Sequence, residues 1–158
     1  MENIMKTKCI ISVMLISALT PTLTQAFGNQ HTWTIHKTQG LSEFVILGQG
    51  QSQLYLTCDD AGKQPATMVF TDVNGQQVRM DADQYLEMKF DGEDAANVSE
   101  SETHIGAQFV QWAWNMLRSE KQVTVSGEGV IPTTFTLNGA AAVIPHFEEK
   151  GCVPKFVF

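Results

Sequence analysis

Histidines are the side chains best suited to hold a metal ion or to exchange protons near neutral pH. The chain has four, His31, His36, His104 and His146. His31 and His36 are five residues apart on one predicted strand, so they point to opposite faces of a sheet. No pair has the i, i+4 or His-x-His spacing that places two imidazoles on one ion. We therefore expect no metal site and no cofactor.

Serine and aspartate patterns also give no clear catalytic centre. No serine lies in a Gly-x-Ser-x-Gly or Ser-x-x-Lys motif. Asp81 and Asp83 resemble the first half of a calcium-binding loop, but the later glycine and glutamate are missing. Asp59 and Asp60 follow Cys58 in a predicted turn, where aspartate is common for backbone reasons. We predict no catalytic residue, with a small hydrolase that uses Asp59 or Asp60 as an open alternative.

The first 26 residues have the composition of a signal peptide. A short basic start is followed by an apolar run at 9–19 and by Ala26, a small residue suited to cleavage. The run is shorter than the about 20 residues that cross a bilayer. We expect cleavage after Ala26, no membrane insertion, and a bacterial periplasmic or secreted protein. Residues 27–158 are then one domain, long enough to bury a core.

Two cysteines, Cys58 and Cys152, remain after the predicted cleavage, because Cys9 lies in the leader. An even number of cysteines in an exported chain favours a disulfide. A redox pair would need the Cys-x-x-Cys spacing, which is absent. We predict a Cys58–Cys152 bond that ties the third strand to the end of the chain.

Acidic residues outnumber basic ones, and they are concentrated in one part of the chain. The whole sequence has a net charge of -7, and loss of Lys6, Lys8 and Glu2 with the leader makes it -8. Residues 81–102 contain half of the remaining acids, with Lys89 as the single base among them. This balance argues against nucleic acid as a partner. The segment is either a solvated face or a surface for a cation or a basic protein.

Short alternating segments separated by turn residues predict most of the chain to be β-structure. Asn74-Gly75 is the strongest hairpin signal. In residues 52–57, leucines occupy one face and Tyr55 the other, and in residues 85–90 Leu86, Met88 and Phe90 share a face. The predicted strands are 31–37, 44–47, 52–57, 67–71, 77–80, 85–90, 122–126 and 133–137, with a further edge strand at 155–158.

One long helix is predicted at 103–118, and it must cover a sheet. Its start is marked by residues 99–103, which offer three possible caps. They are a capping box of Ser99 with Glu102, Ser101 alone, and Thr103 alone. A stripe of large apolar side chains at helical spacing is expected to face the core. Trp114 lies about opposite that stripe, beside Val110. The stripe consists of Ile105, Phe109, Trp112 and Met116.

These elements predict a mainly β (α+β) fold. We expect an antiparallel β-sandwich-like domain with one amphipathic helix inserted before the last two strands. A short C-terminal helix is predicted from residue 140 to Gly151, bent by Pro145.

The order of elements around three features resembles a known family. A strand ends in Cys58, a helix and strand follow, and the segment TFTLNG at 134–139 precedes Cys152. This arrangement resembles the periplasmic type VI secretion accessory family called TagO or VasI, over roughly residues 33–153. The chain departs from it because the Ser-x-x-Asp-Asp pattern after the first tryptophan is missing. The resemblance implies an exported accessory protein and transfers no active site. The chain also resembles, more loosely, the invasion-associated locus B proteins, which are exported, disulfide-linked β domains.

We therefore expect a non-enzymatic periplasmic binding or assembly protein that acts through protein–protein contacts, in a secretion system or virulence setting. The predicted partner surface is Trp114 with Val110, since tryptophan is enriched at interface hot spots, together with Asp91, Glu93 and Asp94. A loop or the C-terminal strand covering Trp114 is the open alternative. The alternative function is inhibition of a basic envelope or host hydrolase such as lysozyme, by charge complementarity. The sequence does not indicate an oligomeric state.

Overall fold

The computed structural model describes residues 27–80 and 83–157, so the predicted leader and Asp81 lie outside the described residues. The described chain is mainly β, as predicted, with two antiparallel sheets and two α-helices. The strands are β1 (Thr34–Thr38), β2 (Leu41–Leu47), β3 (Gln53–Asp59), β4 (Thr67–Thr71), β5 (Gln77–Arg79), β6 (Leu86–Phe90), β7 (Ala96–Asn97), β8 (Gln122–Gly127) and β9 (Thr133–Thr136). The helices are α1 (His104–Ser119) and α2 (Ala140–Val143).

The first five strands form one sheet in chain order, each strand paired with the next. The hairpin predicted at Asn74-Gly75 joins β4 to β5, and Gly75 has a φ of 85°. The second sheet has the order β7-β6-β8-β9, and α1 connects β7 to β8. The helix therefore precedes the last two strands, as predicted.

The core lies between the two sheets and under the helix. Alternate residues of β3 and of β6 are buried, as the two-residue period of a strand predicts. Leu54 and Leu56 of β3 and Met88 of β6 are all fully buried. The rings of Phe70 and Phe135, one from each sheet, meet edge to face with centroids 6.0 Å apart. This packing gives the sandwich-like arrangement.

Cys58 and Cys152 form the predicted disulfide, with an S–S distance of 2.05 Å. The bond connects the end of β3 to the C-terminal segment. The chain packs tightly here: a Cβ on Gly151, whose φ is 78°, would lie 1.6 Å from the backbone oxygen of Asp59. Only glycine fits this close approach.

The C-terminal part of the chain differs from the prediction in two ways. Helix α2 ends at Val143 instead of continuing to Gly151, and Ile144 is extended with φ -78° and ψ 120°. The reason is that Pro145 disfavours helical backbone in the residue before it. Residues 155–158 were expected to form an edge strand, but Lys155–Val157 is a 3-10 helix.

Helix α1 packs on the sheet with a different face from the one predicted. Trp114 and Val110 are 0% and 1% exposed, whereas Ile105 and Phe109 of the predicted core stripe are 66% and 45% exposed. The prediction that Trp114 and Val110 form a partner surface is therefore wrong. The physical reason is that the Trp114 indole N–H donates to the Pro145 backbone oxygen at 3.0 Å, on a side of the helix otherwise lined mainly by small residues. They are Gly106, Ala107 and Ala113, and Leu117 completes the buried face.

The side chain of Asp72 links the two sheets. It is 1% exposed and accepts hydrogen bonds from the backbone N–H groups of Asn74, Gln76 and Ile131, at 2.8, 2.9 and 2.9 Å. The first two lie in the β4–β5 hairpin and the third in the β8–β9 connection. These hydrogen bonds hold the pKa of Asp72 below its ordinary value, and the bond from the Ile131 N–H has the largest effect.

We predict that Asp72→Asn lowers the free energy of unfolding at neutral pH, because an amide NH2 group would face one of these N–H donors. A carboxyl with a lowered native pKa stabilises the fold above its unfolded pKa, and this contribution is lost as pH falls through the native pKa. The difference between wild type and variant should therefore shrink in acid. Urea unfolding of both proteins, from neutral pH down into acid, measures this difference in the free energy of unfolding. Asp94→Asn, at an exposed position, is the control. A pH-independent difference would contradict the prediction.

Candidate functional site

The uncovered face of α1 forms one wall of a groove, and the segment between β6 and β7 forms the other. We call this site the α1 groove. Its volume is about 410 Å³. It is lined by Glu93, Asp94, Ala95 and Ala96 on one side and by Ile105, Gln108, Phe109 and Trp112 on the other. The sequence-predicted Glu93 and Asp94 therefore lie beside the helix face that we had assigned to the core.

A network of hydrogen bonds fixes the start of α1 at one end of this groove. Thr103 is the N-cap, and its Oγ1 accepts a hydrogen bond from the Gly106 N–H at 3.0 Å. The Glu100 carboxylate accepts from the N–H groups of Glu102 and Thr103, at 2.7 and 3.0 Å, and from the Thr103 hydroxyl at 2.8 Å. Of the caps considered from sequence, Thr103 is correct.

The pKa of Glu100 reflects its hydrogen bonds at the start of α1. Burial favours a raised pKa, but the hydrogen bonds from Thr103 and Glu102 outweigh it and hold the pKa of Glu100 below its ordinary value. A carboxylate at this position also interacts favourably with the positive end of the helix dipole. The first turn of α1, which carries Ile105, is therefore held in place.

The apolar wall of the α1 groove changes in character along the helix. Ile105 and Phe109 are exposed, at 66% and 45%. Trp112 is half-buried, and its ring meets that of Phe90 edge to face with centroids 5.4 Å apart. Met116, also half-buried, packs against the core. The predicted stripe is thus continuous with the core at one end and open to solvent at the other.

The acidic wall is exposed. Asp91, Glu93 and Asp94 are all on the surface, where a turn at Gly92 with a φ of 75° brings the chain round from β6. Asp91 accepts a hydrogen bond from Gln122 Nε2 at 2.6 Å and does not line the groove. The α1 groove therefore combines an apolar wall on the helix with the two carboxylates of Glu93 and Asp94 on the opposite wall.

Asp59 and Asp60, the residues considered for a hydrolase, form structural contacts at the end of β3. Asp59 accepts from the backbone N–H groups of Ala61 and Lys63, at 3.1 and 2.9 Å. Asp60 accepts from the Ser42 hydroxyl at 2.5 Å and lies 3.7 Å from Lys37 Nζ. Asp59 thus stabilises the turn itself, and Asp60 connects it to β1 and β2.

Histidines do not gather in the structure. His104 stacks edge to face on Phe156, with centroids 5.3 Å apart, and His146 Nδ1 lies 2.7 Å from Arg118 Nη1. Within residues 27–80 and 83–157, no three His, Cys, Asp or Glu side chains are placed to hold a metal ion. No helix in the described part of the chain is long and apolar enough to cross a membrane.

A family model described as YfjT matches residues 31–144, most of the chain. The match includes both walls of the α1 groove and ends before Cys152. No curated protein and no solved structure gives a significant match to the sequence.

We predict that Gly106→Ala destabilises the protein. At an exposed helix position, replacing glycine by alanine usually raises the free energy of unfolding, by about 1 kcal/mol at most. Here the new Cβ would lie 2.0 Å from Glu100 Oε1 and 2.7 Å from the Glu100 backbone oxygen. Overpacking of this kind costs about 1–3 kcal/mol. Urea unfolding measures the change, and Asn115→Ala, at an exposed position of the same helix, is the matched control. A Gly106→Ala protein as stable as wild type would contradict the close contact.

Proposed function

The chain belongs to the YfjT family, and on that premise we propose that it is an exported, non-enzymatic accessory protein that binds another protein through the α1 groove. The observation that carries the proposal is the exposure of Ile105 and Phe109 beside the carboxylates of Glu93 and Asp94. The predicted partner surface thus keeps Glu93 and Asp94 but not Asp91, and Ile105 and Phe109 replace Trp114 and Val110.

Exposed apolar side chains that share one helix face favour a binding role. Folding gains nothing from leaving such side chains in water, whereas covering a side chain of this size contributes about 1.5–3 kcal/mol. Contiguous apolar patches with a polar rim are typical of protein–protein interaction sites. Ile105 and Phe109 are four residues apart and so project side by side.

Charge determines the chemistry of the proposed partner. The groove edge carries Glu93 and Asp94, and the chain as a whole has a net charge of -7. A partner segment with apolar residues on one side and lysine or arginine on the other would complement both walls. An amphipathic helix laid in the groove, with anchors at i, i+3 or i+4, is a recurring mode of recognition of this type.

Export and the lack of an enzymatic role are parts of the same proposal. The leader-like sequence at 1–26 and the Cys58–Cys152 bond support an oxidising compartment outside the cytoplasm. The structural hydrogen bonds of Asp59 to the turn backbone and of Asp60 to Ser42 support a binding protein over a hydrolase. A place among type VI secretion accessory proteins stays a proposal that rests on the sequence resemblance alone.

Photocrosslinking in the native envelope tests the proposal. A photoreactive phenylalanine analogue at position 109 should join the protein to a partner. The same analogue at Tyr85, which is exposed just before β6 and does not line the groove, should not give that product. The purified partner should then bind Phe109→Ser at least about tenfold more weakly than wild type, since one buried phenylalanine is worth that much. Asn115→Ala should bind like wild type.

The charge contribution is tested in the same binding assay. Glu93→Gln with Asp94→Asn should slow association and reduce its dependence on salt, because exposed charges act mainly on the rate of encounter. If position 109 gives no product beyond that of position 85, or if Phe109→Ser binds normally, the α1 groove is not the docking site.

The acidic edge also favours a second function, inhibition of a basic hydrolase. In that case purified protein should reduce the activity of lysozyme at stoichiometric concentrations, and the effect should weaken as salt increases. Binding without loss of enzyme activity would favour the accessory role.

A further inference from the structure

The outer face of the five-stranded sheet carries a second groove, on different elements from the α1 groove. We call it the sheet groove. It runs along the outward side chains of β3, which are Gln53, Tyr55, Thr57 and Asp59. Its two halves have volumes of about 690 and 660 Å³ and adjoin at Thr57 and Thr67, which line both.

Hydrogen bonds between neighbouring strands hold the side chains of this groove. They join Tyr55 to Glu43, Thr57 to Thr67 at 2.7 Å, and the amides of Gln53 and Gln77 to the Thr71 hydroxyl at 3.4 and 3.1 Å. These bonds restrict the orientations of the side chains before any ligand arrives. Preorganised donors and acceptors lower the entropy cost of binding.

The floor of the groove is apolar. Val45 and Val69 belong to the outward face, yet they are only 1% and 6% exposed. Phe27 lines one end of the groove and packs its ring against His36, with centroids 5.2 Å apart. The groove thus offers an aromatic and aliphatic base with polar groups along it, the usual composition of a small-ligand site.

The charges of the groove balance. Glu43 and Arg79 line one half, and Asp59 and Lys155 line the other. Burial, together with the Glu43 carboxylate, raises the pKa of Tyr55, so its hydroxyl stays protonated. The remaining polar groups are amides and hydroxyls, which both donate and accept hydrogen bonds. A ligand with many hydroxyl groups and no net charge would match this lining.

The position of the groove argues against a peptide. Peptides that bind sheets add a strand at an edge, where backbone groups are free to pair. Here β3 lies between β2 and β4, and its backbone groups are used in the ladders on both sides. Recognition along β3 must therefore use side chains alone. We propose that the sheet groove binds a neutral, linear oligosaccharide.

An NMR titration of the full mature protein tests the inference. The probes are neutral linear hexasaccharides of α-1,4-glucose, β-1,4-glucose and β-1,4-N-acetylglucosamine, with a capped Gly-Ser peptide of similar length as the competing class. At least one hexasaccharide should shift the amide signals of β3, β4 and β5 and saturate at about millimolar concentration or below. The peptide should shift none of them.

Variants separate recognition from folding. Tyr55→Ala and Gln77→Ala should each weaken binding at least about fivefold to tenfold, the loss of one or two hydrogen bonds. Gln77 is exposed on the three-residue edge strand β5, so its truncation should leave the fold intact. Tyr85→Ala is the matched control, because Tyr85 also donates to a carboxylate, that of Glu87, on the other sheet.

Three results would overturn the inference. In the first, none of the hexasaccharides saturates the signals. In the second, the peptide binds as well as the sugars. In the third, Gln77→Ala and Tyr55→Ala, both shown to be folded by their spectra, bind like wild type. None of these results bears on the α1 groove, which lies on a different surface.

Discussion

Burial of Trp114 is the constraint on which the arrangement of this protein depends. The indole is 0% exposed, donates from Nε1 to the Pro145 backbone oxygen at 3.0 Å, and lies against the Phe147 ring with centroids 5.5 Å apart. A buried tryptophan needs such a partner for its N–H. Because a helix is rigid, burying Trp114 fixes the rotation of α1 about its axis. Ile105 and Phe109 must then face solvent.

The C-terminal segment provides the cover for Trp114, and the disulfide holds that segment in place. Arg118 adds a second link, since its Nε donates to the Ile144 backbone oxygen at 2.9 Å. The Cys58–Cys152 bond spans 94 residues. A loop of this size allows up to about 4.7 kcal/mol of stabilisation through the unfolded state. The same oxidised state that stabilises the fold therefore also maintains the exposed face of α1.

Much of the fold could be predicted because strands leave a local signal. Alternation identified β3 and β6 with the correct inward faces, and an even number of cysteines gave the disulfide. The face of α1 could not be found in the same way. Counting large apolar residues favoured Ile105 and Phe109. The buried face instead carries small residues around Trp114, whose hydrogen-bond partner Pro145 is 31 residues away in sequence. The C-terminal helix was overextended because the effect of Pro145 on Ile144 was underestimated.

The two grooves show what sequence patterns cannot supply. Glu93 and Asp94 were identified as surface residues, but their neighbours across the α1 groove come from another element. Tyr55 was placed on the outward face of its strand, yet its hydrogen bond to Glu43 depends on the register of β2 and β3. Both sites are products of tertiary packing, which brings together residues that no short motif connects.

Thiol labelling of two neighbouring positions in α1 tests most directly whether the helix is rotated as described. Phe109→Cys and Val110→Cys would each be labelled under native, non-reducing conditions and compared with the same variant unfolded in urea. Phe109→Cys should react at close to its unfolded rate, and Val110→Cys should react at least about a hundredfold more slowly than when unfolded, since a buried thiol waits for local opening. The reverse pattern, with position 109 protected and position 110 reactive, would place Trp114 outside and contradict the α1 groove.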